Sequence, residues 1–167
     1  MLKRLMVAAA CIALALSTGA ATARAHEKGE QSEQTIIRSR DFTIAKGQCS
    51  QLPANLEVKG VGLERTKTVV DEDEGGFTYS LSSTITGTAT DNFDGKYTFR
   101  YQLRLKKPIP LPGVGIVIDT FQLTGTGAAN GMSTFFRVRV TFDAGANPTD
   151  FAILEQSGNP FGGCDPL

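Results

Sequence analysis

The 167-residue chain has no tryptophan, one histidine and three cysteines. Each scarcity excludes a class of chemistry. The only imidazole, His26, falls in the polar leader expected after processing, so Ser-His-Asp and Cys-His catalytic arrangements and a conventional histidine zinc site are not expected. Long apolar runs are just as scarce. The one present, Leu5 to Leu16, follows Lys3 and Arg4 and leads to Ala23-Arg24-Ala25. That order predicts a signal peptide over residues 1–25, cut after Ala25. The run falls short of the roughly 20 residues needed to cross a bilayer. The expected product is therefore secreted or periplasmic, with no stable membrane insertion after processing. Charge of one sign is lacking too: 17 basic residues balance 17 acidic ones, and removing Lys3, Arg4 and Arg24 leaves a small acidic excess. That balance favours neither nucleic acid nor an anionic membrane as partner. Beyond the signal peptide no segment has the apolar period of a helix.

The chain does carry alternation. From Thr84 to Lys106 the sequence reads as one long hairpin. Tyr97, Phe99, Tyr101, Leu103 and Leu105 fall on one face; Thr98, Arg100, Gln102, Arg104 and Lys106 fall on the other. Its turn, Asp91 to Gly95, supplies short polar side chains and a glycine. A second hairpin repeats the design: Ile85-Thr86-Gly87-Thr88 is matched by Leu123-Thr124-Gly125-Thr126. Residues 26–34 read as a polar leader ahead of a single domain over 35–167. Thr35 to Ile44 gives a first strand, interrupted by Arg38-Ser39-Arg40-Asp41. In Asn55 to Val70 the apolar parity shifts past Gly60 and Gly62, which predicts a bulge or bend. Phe77 to Thr90 sets Phe77, Tyr79, Leu81 and Ile85 against a ladder of serine and threonine, a solvent face. Ile116 to Thr126, Ser133 to Phe142 and Thr149 to Gln156 complete the series. Six to eight strands joined by short turns predict an all-β fold, an antiparallel up-and-down meander closed or nearly closed into a barrel. A β-sandwich is the alternative.

A meander sorts its turns onto two ends. One gathers the acidic turn 71–76, the proline loop 107–115 and residues 144–148. The other gathers 47–53, 91–95, 127–131 and the tail. Cys49 and Cys164 then share an end, and in an exported protein they are expected to form a disulfide. Two acidic groups, Asp71 to Glu74 and Asp91 with Asp94, resemble calcium ligands. They fall at opposite ends and lack the spacing of a calcium loop, so both are expected to be solvated turns, with no metal and no cofactor.

Alternation places Asp119 inward with Phe121 and Leu123. A carboxylate there has the chemistry of a general acid or base, or of a ligand-orienting group. Tyr79 and Tyr101 are expected to share that interior. Ile109 and Leu111, held between prolines, predict a stiff apolar flap at the mouth, serving as lid, partner surface or plug.

The stretch GTATDNFDGKYTFRY, with a signal peptide ahead and a late cysteine, resembles small secreted bacterial β-barrel proteins of lipocalin or allene oxide cyclase outline. The resemblance brings no catalytic residue to a position of this chain, and the Gly-x-Trp signature of lipocalins is absent. It implies a binding module for a small apolar ligand at a mouth formed by Asp119, Tyr79, Tyr101, Ile109 and Leu111. Two alternatives stand beside it: a cyclase or isomerase on the same barrel, and a structural or protein-interaction barrel with a filled core.

Overall fold

The computed structural model describes residues 31–49, 52–73 and 76–159. The expected signal peptide, residues 26–30 of the leader, Glu74 and Cys164 lie outside them. Eight strands follow one another: β1 (Gln31–Ile44), β2 (Val58–Asp73), β3 (Gly76–Asp91), β4 (Lys96–Leu105), β5 (Ile109–Leu111), β6 (Gly113–Gly125), β7 (Ser133–Phe142) and β8 (Pro148–Asn159). All pairings are antiparallel within one sheet, in the order β1-β2-β3-β4-β6-β7-β8, and β5 pairs with β3 beyond the end of β4. A single sheet replaces the sandwich alternative. Among the described residues no ladder joins β1 to β8, so the sheet is not closed.

The sheet is nevertheless strongly curled. Phe42 on β1 meets Phe99 on β4 edge to face, with centroids 4.8 Å apart, and Phe121 on β6 at 5.6 Å. Strands separated by two or three others bring rings into contact only when the sheet wraps around a common core. Tyr79 on β3 likewise lies against Phe142 on β7 at 5.8 Å. The inward residues of β4 (Tyr97, Phe99, Tyr101, Leu103, Leu105) are all buried, as the alternation required.

Three expectations are corrected. β1 begins at Gln31 rather than Thr35, because Gln31 to Gln34 pair with Asp71 to Thr68. Both faces of that end are exposed, so it carries no apolar signature. β2 contains no bulge: it pairs with β1 and β3 without a register shift. Its apolar parity shifts because Val61 and Leu63 stand exposed on the outer face while Gly60 and Gly62 occupy the inner one. The inner glycines make room for rings. A Cβ on Gly60 would lie 2.1 Å from the Phe42 ring, and one on Gly62 would lie 2.6 Å from Phe99. The register shifts fall instead on the β7–β8 pairing, at Arg137/Val138 and Thr141/Phe142. The proline loop, finally, is β5, which continues the lane of β4 beside Phe77 to Tyr79 rather than forming a flap.

The turns sort as the meander demands. At the end bearing residues 45–49 and 52–57, Asp91 ties the loops together. Its Oδ1 accepts from the amides of Phe93 and Gly95, both at 2.8 Å, and its Oδ2 accepts from the Tyr97 hydroxyl at 2.5 Å. The Tyr97 oxygen in turn accepts from the Ala129 amide at 3.2 Å. Asn92 reaches the other loop, accepting from the Glu57 amide and donating to the Asn55 carbonyl. Burial opposes ionisation of Asp91, but the Tyr97, Gly95 and Phe93 hydrogen bonds outweigh it and hold its carboxyl below the usual range. Burial and the adjacent carboxylate push Tyr97 up to about 12. Asp91→Ala is expected to lower stability by about 2 to 3 kcal/mol, read from urea denaturation at neutral pH. Retention of wild-type stability would show the three loops to be independently held.

Candidate functional site: the concave face and its open seam

Inward positions of β1, β2 and β3 are not all apolar. Arg38 pairs across the ladder with Glu64, Glu64 with Ile85, and Thr66 with Ser83. By strand parity Arg40 shares the inward face with Phe42, and Glu64 shares it with Val58. Glu64 is the hub. Its Oε2 accepts from the Nε of Arg38 and the Nε of Arg40, each at 2.5 Å. Its Oε1 accepts from Arg38 Nη2 at 3.2 Å, from the Thr66 hydroxyl at 2.8 Å and from the Ser83 hydroxyl at 3.3 Å. Thr66 Oγ1 and Ser83 Oγ lie 2.8 Å apart. Burial by itself would raise the Glu64 carboxyl; the hydrogen bonds from Arg38, Arg40 and Thr66 outweigh it and bring it from 4.5 to about 2.

Two guanidiniums therefore share one carboxylate. The Glu64 side chain is 5% exposed, whereas those of Arg38 and Arg40 are 25% and 29% exposed. Arg40 spends only its Nε on Glu64. Among the described residues its two Nη groups make no hydrogen bond.

These arginines stand partly exposed on β1, one edge strand of the sheet; β8 is the other. On the β8 side, Ile153 pairs with inward Val138 yet is 43% exposed, and Gln156, opposite Phe136, is exposed as well. Phe136 and Phe151 pack against the core but remain half-buried. One edge strand thus presents cations and the other apolar side chains.

Asp119 lies inward and buried on β6, where its Oδ2 accepts from the Tyr101 hydroxyl at 3.2 Å. It pairs with Leu103, which pairs with Ser83, so it stands two lanes along the sheet from that member of the Glu64 cluster. Tyr79 is also inward and buried, but its hydroxyl has no hydrogen-bond partner and lies apart from Asp119. Burial pushes Tyr79 up to about 12. Ile109 is buried in the core beside Tyr79, and Leu111 is half-buried next to it. The structure thus brings together Asp119 and Tyr101, and separately Tyr79, Ile109 and Leu111. Among the described residues, no three or more His, Cys, Asp or Glu side chains converge as a metal shell requires.

The chain matches no family model, no curated protein and no solved structure. The site is therefore argued from its geometry alone.

Sequence reasoning missed Arg38, Arg40, Glu64, Thr66 and Ser83. The signal was present: Arg38 and Arg40 have the parity of Phe42 and Ile44, and Glu64 has the parity of Val58. Charged residues at core parity were read as breaks in a strand, when they were polar members of its inner face.

Proposed function

We propose that the chain is a secreted or periplasmic binding module whose curled sheet acts as a nearly closed barrel, entered along the β1–β8 seam. Its ligand is small and largely apolar, with one acidic group. The observation that carries this reading is Arg40, whose Nε is spent on Glu64 while its Nη groups make no hydrogen bond among the described residues and its side chain is 29% exposed. A planar guanidinium of this kind pairs with a carboxylate in bidentate fashion. The apolar body of the ligand lies against Phe136, Phe151 and Ile153 on the opposite lip.

Titration calorimetry with decanoate and with decanol tests this reading. Decanoate is expected to bind, decanol at least about tenfold more weakly, and Arg40→Gln to remove that preference. Equal binding of acid and alcohol, or an unchanged preference in Arg40→Gln, overturns it.

A second reading, a cyclase or isomerase, draws on the buried Asp119–Tyr101 pair, two lanes along the sheet from Ser83. On this reading Asp119→Asn abolishes turnover of a bound acid while leaving decanoate affinity intact.

A further inference from the structure

The convex face carries a different surface. On β3 the outward positions from Thr78 to Thr90 are all serine or threonine. The register sets cations on both sides of this hydroxyl ladder. Arg65 stands opposite Thr84 and Lys67 opposite Ser82 on the β2 side, while Arg100 stands opposite Thr86 and Arg104 opposite Ser82 on the β4 side. Arg137 and Arg139 extend the field across β7. No outward position of β3, β4, β6 or β7 is acidic. Among the described residues, Arg65, Arg100, Arg104 and Arg139 have no carboxylate within 4 Å; Lys67 pairs with Glu33 at 2.8 Å and Arg137 with Glu155 at 3.7 Å.

In a chain whose acidic and basic residues balance, this is a segregation of charge. Strand geometry puts Lys67, Arg104 and Arg137 about 10 Å apart across the sheet, and Arg100 and Arg104 about 13 Å apart along β4. Those separations are comparable to the Debye length at physiological salt, so the field adds up over the face.

We propose that this face binds an extended anionic polysaccharide, its carboxylates on the arginine rows and its hydroxyls on the β3 ladder. The composition decides the class of partner. Single-stranded nucleic acid needs aromatic platforms for its bases, and the outward positions of β2, β3 and β4 have none. A membrane surface needs apolar anchors among the cations. On β2 and β4 only Val61 and Leu63 are exposed apolar residues at outward positions, opposite Thr88 and Thr86, while Ile116 and Ile118, between the arginines of β4 and β7, are half-buried. Val61 and Leu63 suit the C–H face of a sugar ring.

The test is retention of the purified protein on immobilised alginate, with neutral dextran as control. Retention is expected on alginate at low salt, none on dextran, and elution as salt rises. The Arg100→Ser/Arg104→Ser variant alters only exposed residues and is expected to fold normally while losing at least about tenfold in affinity. Thr84→Val/Thr86→Val keeps every charge and is expected to weaken alginate binding while leaving retention on polyphosphate unchanged. Arg40→Gln, on the opposite face, is expected to change nothing, which separates this surface from the seam. No retention on alginate at low salt overturns the proposal, as does undiminished affinity in the double arginine variant. Tighter binding to single-stranded DNA or to phosphatidylglycerol vesicles overturns the choice of polysaccharide.

Discussion

Glu64→Ala should destabilise the protein by about 3 to 5 kcal/mol at neutral pH, the cost of leaving partly buried charges without their counter-ion. Two guanidiniums converge on this carboxylate, and Thr66 and Ser83 complete its shell. Removing it takes a shared counter-ion from Arg38 and Arg40 and takes one acceptor from the Thr66–Ser83 hydroxyl pair. Glu64→Gln keeps the shape and loses the charge, so it separates the two contributions. The triple replacement Arg38→Met/Arg40→Met/Glu64→Leu is expected to recover most of the loss, because an apolar cluster of similar volume needs no desolvated charge. Equilibrium denaturation in urea measures all three. A Glu64→Ala protein as stable as wild type would mean that the cluster is held from elsewhere.

The same carboxylate predicts an acid limb. Its folded pKa of about 2 lies below the ordinary 4.5, so the stabilisation is complete above pH 4.5 and drains away as pH falls toward 2. A shift of that size corresponds to on the order of 3 kcal/mol at neutral pH. Asp91, also held low, adds to the loss in the same direction. Stability followed from pH 6 to pH 2 should fall less steeply in Glu64→Gln than in wild type.

Reduction of the disulfide is the second large effect. Cys49 is 3% exposed and disulfide-bonded. Its expected partner, Cys164, lies outside the described residues. β8 runs toward Asn159 opposite Ser133, so the chain leaves the sheet at the end where Cys49 sits. A 49–164 bond would close most of the domain into one loop. On the chain-entropy model its loss costs about 4 to 5 kcal/mol, enough to remove much of a small domain's stability. Peptide mapping without reductant should recover a Cys49–Cys164 peptide, and reduced protein should unfold at markedly lower urea. Recovery of two free thiols would sink this expectation.

Where a strand has one dry and one wet face, alternation exposes it directly. The inward residues of β4 and the outward hydroxyls of β3 were legible for that reason, and the turn order followed once the strands were placed. The first turns of β1 were not legible, because a strand exposed on both faces has no alternation to read. Gly60 and Gly62 were visible but misread: a glycine that yields space to a ring looks, in one dimension, like a glycine that bends a strand. Asp119 and Tyr101 were placed inward from parity, and they meet.

The order of residues along the chain determined the all-β antiparallel meander, the end on which each turn lies and the parity of strands with one dry and one wet face, such as β4. Those follow from a period of two and from short connections, both local properties. Tertiary structure alone decided that Phe42 reaches Phe121, that among the described residues the sheet stops short of closing, and that Arg38, Arg40, Thr66 and Ser83, drawn from three strands, gather around the Glu64 carboxylate. These depend on how far the sheet curls and on the register of each pair, which are settled by packing between residues far apart in the chain.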